Sequence, residues 1–214
     1  MQIGILGTGM VGSSLGTKLV QLGNEVKMGS RTENNEKATE WAEKNGSKAS
    51  HGTFEDAASF GEIVFNCTSG AISMSALKAA GSKNLNGKIL IDVSNPLDFS
   101  KGMPPTLTLC NTDSVGEQIQ REFPQAKVVK TLNTVNTLVM VNPKLVPGLH
   151  DVFVSGNDPE AKARVERILR DFGWENIIDL GDISTARGTE MIMPLWIRLM
   201  MKYQGPNFNF HIVR

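Results

Sequence analysis

Near the start of the chain, Gly7-Thr8-Gly9-Met10-Val11-Gly12 sets three glycines at the G-x-G-x-x-G spacing. An apolar run, Ile3 to Leu6, leads into it, and a helix-like stretch follows. That context is what separates a dinucleotide-binding turn from a plain strand-to-helix turn, the alternative reading. Each glycine has its own task. Gly7 permits the tight turn, Gly9 lets backbone approach a pyrophosphate, and Gly12 lets the helix pack against the strand. The helix start then offers free N–H groups and a positive dipole end to the phosphates.

The next apolar run decides which dinucleotide. An NAD site places Asp or Glu at the end of the second strand, where it accepts from the ribose 2′-hydroxyl. Here that strand, EVKMGSR, ends in Gly29-Ser30-Arg31 with no carboxylate. Arg31 is a planar donor suited to the 2′-phosphate of NADP, and Ser30 and Thr32 add hydroxyls. Lys37, about a turn into the next helix, would add a second positive charge. The alternative for Arg31 is a solvated surface arginine.

These residues need a scaffold, and the periodicity predicts one. Strands are expected at Gln2–Leu6, Glu25–Met28, Ile63–Asn66, Lys88–Val93, Lys127–Leu132, Asp151–Ser155 and Asn176–Leu180. Helices are expected at 10–22, 34–45, 53–60, 72–80, 114–123 and 159–172, and an apolar one closes the chain at 184–201. Val11, Leu15, Leu19 and Leu22 recur along one face of the first. Thr53 is an expected N-cap, Ser114 and Glu117 form a capping-box pattern, and Asp158-Pro159 opens the sixth helix. Alternating strands and helices, with continuous apolar strands, predict a doubly wound α/β fold around a mostly parallel sheet (a Rossmann fold). Residues 94–112, rich in proline and aperiodic, are expected to form a long functional loop. A nucleotide-binding domain over 1–180 and a helical extension over 181–214 are the expected division.

The 214 residues carry 22 basic and 22 acidic side chains, so net charge is zero, which argues against a nucleic-acid partner. No stretch reaches the roughly 20 apolar residues of a membrane helix, and the start lacks a signal-peptide pattern. Two cysteines, Cys67 and Cys110, suggest no disulfide framework. A cytoplasmic protein is the expectation. His51, His150 and His211 share no metal-ligand spacing, so no metal is expected. His211 is a candidate contact to a partner subunit. Cys67 reads as a small buried residue near the cofactor rather than a redox thiol. Asp92, ending an apolar strand, reads as a structural carboxylate bonded to backbone, with a catalytic role as its other reading. Asn95, Asn133 and Asn136 are candidates to bind acceptor carbonyls, with turn chemistry as their other reading.

GILGTGMVGSSLG, followed by EVKMGSR, DVSNPL, VKTLNTVNT and FVSGNDPEAKARVERIL, resembles the NADPH-dependent F420 reductases. The oxidoreductase domains of the membrane metalloreductases are related to that family. The resemblance runs through nearly the whole chain. At 133–136 the chain reads Asn-Thr-Val-Asn where the family carries His-x-x-Pro. The resemblance implies that Thr8, Gly9, Met10 and Val11 line the pyrophosphate and that Ser30 and Arg31 hold the 2′-phosphate. It places Thr68 and Ser69 near the nicotinamide, continues that wall with Asn95 and Pro96, and closes the crevice with Val135 to Thr137. It implies hydride transfer between NADPH and F420 or a flavin such as FMN. No general acid or base stands out, which suits hydride transfer, where position and a dry pocket suffice. The alternatives are a reductase of a small carbonyl or imine, and a non-catalytic NADP(H) sensor. The Met-rich closing helix is a candidate homodimer interface or lid, or a buried core helix.

Overall fold

The computed structural model describes residues 1–214. In chain order the elements are β1 (Gln2–Leu6), α1 (Met10–Gln21), β2 (Glu25–Ser30), α2 (Glu36–Asn45), β3 (Ala49–Thr53), α3 (Phe54–Phe60), β4 (Ile63–Asn66), α4 (Gly70–Ala80), α5 (Ser82–Leu85) and β5 (Ile89–Asp92). A two-stranded hairpin follows, β6 (Leu97–Asp98) and β7 (Thr106–Leu107), then α6 (Val115–Glu122), β8 (Lys127–Thr131) and α7 (Thr137–Val141). The chain ends with β9 (Asp151–Gly156), α8 (Pro159–Phe172), β10 (Asn176–Asp179), α9 (Ala186–Met191) and α10 (Met193–Tyr203).

Eight strands form one sheet in the order β10-β9-β8-β5-β4-β1-β2-β3. All neighbours run parallel except β8 and β9. The middle strands are buried on both faces, which explains their unbroken apolar runs. On one face α1, α2, α7 and α8 pack over a core containing Ile3, Leu15, Trp41, Val139, Val165 and Phe172. On the other, α3 to α6 and α9 pack over Leu6, Leu77, Leu90, Ile119 and Ala186. This is the doubly wound α/β fold expected. The connection reverses between β1 and β4, and the carboxyl ends of the two strands open a crevice there, the usual ligand site of such sheets.

Most expected elements form, and the exceptions have physical causes. β3 (ASHGT) is a polar edge strand without the apolar alternation that signals one. The stretch 94–112 contains the short β6–β7 ladder, too brief to leave a pattern. The closing helix is broken. A single 3-10 turn spans Ile183–Thr185, α9 ends at Met191, and α10 restarts with Pro194 in its first turn. Pro194 has no N–H and fixes φ, so it suits a helix start better than an interior. Leu22, expected on the apolar stripe of α1, is exposed, because the helix has already ended. Ile183 and Ala186 belong to the second core. A separate small cluster begins at Met193, where Trp196 and Ile197 pack with Leu97, Leu107, Phe208 and Phe210. No helix is long and apolar enough to cross a membrane.

Candidate active site

The glycine turn follows from backbone geometry. Gly7 has φ 119°, a conformation that side chains rarely adopt, and an added Cβ would lie 2.9 Å from the Cys67 carbonyl oxygen. A Cβ on Gly12 would overlap the Gly7 carbonyl, so only glycine lets α1 sit this close to the loop. Gly9 differs from both, because nothing lies within 4 Å of its Cβ position. The space over Gly9 is therefore open, as a backbone-hugging pyrophosphate requires. Gly9 is also the N-cap of α1, and no side chain bonds the helix start, which has no acidic residue in its first turn. Its N–H groups remain available. The helices that follow β2, β3 and β8, and the hairpin, are instead capped by Asn35, Thr53, Asn136 and Ser114. α1 and α4, the two that flank the reversal point, lack a side-chain cap, as do α5, α9 and α10.

The expected site residues fall into three groups. Thr8, Gly9, Met10, Lys37 and Asn136 share the wall of a cavity of about 1120 Å³ between α1, α2 and α7. Trp41 and Leu138 line it as well, and Val11 packs into the adjoining core. Met10 is 81 % exposed beside the turn. The second group is the end of β2. Arg31 and Thr32 are exposed there, and no carboxylate pairs with Arg31. Ser30 is buried, its hydroxyl bonding the Thr32 carbonyl and accepting from Thr32 N–H at 3.2 Å. The hydroxyl expected to face a phosphate thus shapes the turn that presents Arg31.

The third group surrounds the ends of β4, β5 and β8. Gly70 N–H donates to the Asn95 carbonyl at 3.1 Å, and this ties the Cys67-Thr68-Ser69 loop to Asn95-Pro96. The Cys67 thiol is pushed well above its ordinary pKa by burial and by the Asp92 charge, so it stays neutral. Leu132, φ 60°, turns the chain sharply after β8. Asn133 then meets Asn95 in a reciprocal pair: Asn133 Nδ2 donates to Asn95 Oδ1 at 2.9 Å, and Asn95 Nδ2 to the Asn133 carbonyl at 2.8 Å. The other Asn133 N–H bond goes to the Thr189 carbonyl. The geometry therefore reassigns Asn133 from acceptor recognition to a tie between loops, because its side chain is buried and its donors are committed. Val135, expected at the crevice wall, turns its side chain into the first core. Asn136 accepts from Leu138 N–H as a cap and also lines the cavity.

Behind these loops lies an ion cluster that sequence reasoning missed. Lys130 is fully buried, and its Nζ donates to Asp92 Oδ2 at 2.8 Å, to Glu190 Oε1 at 2.7 Å and to the Ser94 carbonyl. All three ammonium protons have partners. Burial works to lower the Lys130 pKa, but the two carboxylates outweigh it, so the ammonium is held charged. Glu190 in turn accepts from the N–H groups of Val115 and Gly116, the first turn of α6. Asp92 does bond to backbone as expected, at Ser94 N–H, but its main partner is Lys130. The available signal was a lysine inside the apolar strand KVVKT, which a buried position allows only when paired. The capping-box pattern is also modified. Ser114 accepts from Glu117 N–H, while the Glu117 carboxylate takes the Ser114 hydroxyl and pairs with Arg187 of α9.

A family model described as NADP oxidoreductase, coenzyme F420-dependent, matches residues 2–96. The F420-dependent NADP reductase of Methanocaldococcus jannaschii is 33 % identical over 223 residues, covering 99 % of this chain and 98 % of that one. The chain belongs to this family. It is an NADP-dependent oxidoreductase. A solved structure from Arthrobacter sp. FB24, assigned as an F420-dependent NADP-reductase, superposes with a TM-score of 0.95 at 51 % identity, each chain covered completely. Metalloreductase STEAP3 of Rattus norvegicus is 32 % identical over 200 residues, or 91 % of this chain and 38 % of that protein.

Proposed function

We propose that the enzyme transfers hydride between NADPH and a flavin-like acceptor, F420 first and FMN second. The residues present suit NADP. The open space over Gly9 and the uncapped start of α1 would hold the pyrophosphate. Arg31, with Lys37 and Thr32, would hold the 2′-phosphate, and Ser30 would support their turn. The nicotinamide end would rest against Thr68, Ser69, Asn95 and Pro96, beside Cys67. NADPH supplies the hydride when bound, and the chain supplies position.

The single observation that carries the acceptor class is the state of the ionisable groups behind that wall. Lys130, Asp92 and Glu190 are spent on one another, and the Cys67 thiol is held neutral. Such a wall would orient a ring and exclude water, and a thiol with a raised pKa is a poor proton donor to a developing alkoxide. That supports a flavin-like acceptor over a carbonyl or imine. Full-length similarity to an F420-dependent NADP reductase supports the same choice.

A spectrophotometric screen tests it: NADPH with F420, FMN, a small ketone and a cyclic imine. Steady NADPH oxidation with F420 or FMN is the expected result. Oxidation confined to the ketone or imine overturns it, and tight NADPH binding with no turnover points to a sensor.

A further inference from the structure

The buried cluster carries a consequence for the crevice surface, through hydrogen-bond polarity. Asp92 is salt-bridged to Lys130, and its Oδ1 accepts from Asn66 Nδ2 at 2.9 Å and from the Ser94 hydroxyl at 2.8 Å. A carboxylate held by an ammonium is an acceptor only, so the Asn66 amide must turn its Nδ2 toward it. The same Nδ2 donates its other proton to Ser73 Oγ at 3.0 Å. Asn66 Oδ1 is therefore forced to the opposite side, where Thr68 N–H lies at 3.3 Å and Thr68 Oγ1 at 2.6 Å. An amide oxygen cannot donate, so the one Thr68 hydroxyl proton is committed inward. Ser73 Oγ lies 3.0 Å from the same hydroxyl, and cannot receive that proton while Asn66 Oδ1 holds it. What remains on Thr68 Oγ1 is lone-pair density. Asn66 and Ser73 are fully buried, whereas Thr68 keeps 7 % of its surface exposed and lies beside the Gly7 turn.

We propose that Asn66 is a positioning residue that presents Thr68 Oγ1 to the crevice as a hydrogen-bond acceptor, so that Thr68 selects ligands bearing an N–H donor at the nicotinamide carboxamide. This rests on the reading that the nicotinamide end lies against Thr68. The Lys130 charge, three side chains away, sets the direction of every bond in the chain Lys130–Asp92–Asn66–Thr68. The surface hydroxyl inherits that direction.

The test uses two oxidised nucleotides and one fragment, measured by isothermal titration calorimetry on the intact enzyme. NADP+ carries a carboxamide. The 3-acetylpyridine analogue of NADP+ keeps the carbonyl and replaces the amide NH2 with methyl, so it lacks only the donor. The fragment 2′-phospho-ADP-ribose has no nicotinamide. The wild type is expected to bind the acetyl analogue about three- to tenfold more weakly than NADP+, the worth of one net hydrogen bond. Thr68→Val should bring that ratio to one, and Thr68→Ser should restore it. Asn66→Leu should also lower the ratio, since a freed hydroxyl can turn its proton outward as well as toward Ser73 Oγ. Affinity for 2′-phospho-ADP-ribose should be the same in every variant. Equal wild-type affinity for NADP+ and the analogue overturns the proposal, and so does an unchanged ratio in Thr68→Val. If Asn66→Leu does not fold, the Thr68 pair decides alone. If the wild type fails to bind 2′-phospho-ADP-ribose, the nucleotide assignment itself fails, which is a separate outcome.

Discussion

The two sides of the crevice are built on opposite principles. On the β1–β2 side the structure leaves things free: open space over Gly9, an uncapped helix, and an arginine with no carboxylate partner. On the β4–β5–β8 side almost nothing is free. Asn66, Ser73, Asp92, Lys130 and Glu190 hold one another in a buried network, and Asn95 and Asn133 form a separate pair beside it. One side has unspent donors that would suit a polyanion. The other supplies a rigid wall. Phosphates are recognised by charge and backbone, which tolerate a spare surface, whereas a ring in hydride transfer needs placement within fractions of an ångström.

Substitutions can break this contrast, and the largest effect belongs to the wall. Lys130→Met strands two buried carboxylates without a cation. Breaking a buried ion cluster in this way should cost about 3–5 kcal/mol in urea denaturation. A loss under about 1 kcal/mol, the scale of an exposed ion pair, would mean that the network is not closed to water. Next come the glycines, which should separate. Gly12→Ala forces a Cβ onto the Gly7 carbonyl and should cost about 1–3 kcal/mol of stability. Gly9→Val meets no neighbour at its Cβ, so stability should fall by no more than about 1 kcal/mol, the scale of a poorer N-cap, while NADPH binding disappears in calorimetry. Equal stability losses in the two would remove the distinction between packing and ligand glycines.

Arg31→Ala probes the free side more gently. It should weaken NADPH by roughly ten- to hundredfold, the worth of a charge-assisted hydrogen bond, and leave NADH nearly unchanged. Equal weakening of both would remove Arg31 from the 2′-phosphate. The smallest effect concerns Glu117, which joins α6 to α9. The hydrogen bond from Arg187 holds its carboxyl below the usual glutamate range, against a smaller opposing effect of burial. Its stabilising contribution is therefore complete above the unfolded glutamate value, about 4.3, and is lost as pH falls through the lower folded value. Thermal melts in acid should show a shallower decline for Glu117→Gln than for the parent, from a lower starting point at neutral pH.

The same contrast explains what could be read from the chain. The free side was legible as a pattern because its residues stand close together in the sequence. Gly7, Gly9 and Gly12 share one turn, and Arg31 stands at the end of the next strand. The strands were legible because burial on both faces leaves unbroken apolar runs, as in Ile63–Asn66. The wall was not, because its partners lie far apart along the chain. Lys130 meets Asp92 across 38 positions, and Val115 meets Glu190 across 75. No local period records such pairs. Asn133 shows the cost of reading types without partners: as a residue it suits an acceptor carbonyl, and in the fold its donors are already taken. The broken closing helix turned on Pro194, whose effect depends on whether it falls inside a helix or begins one.

Trp41 packs under α1, where Gly16 makes room for its ring, and lines the cavity that holds Gly9 and Lys37. Trp174 and Trp196 are both buried elsewhere. Reduced nicotinamide absorbs where indole emits, so Trp41 would report optically on a nucleotide held in that cavity. Replacing it with phenylalanine should remove part of the emission change on NADPH binding, and the remaining signal would come from Trp174 and from Trp196, which packs against Leu97.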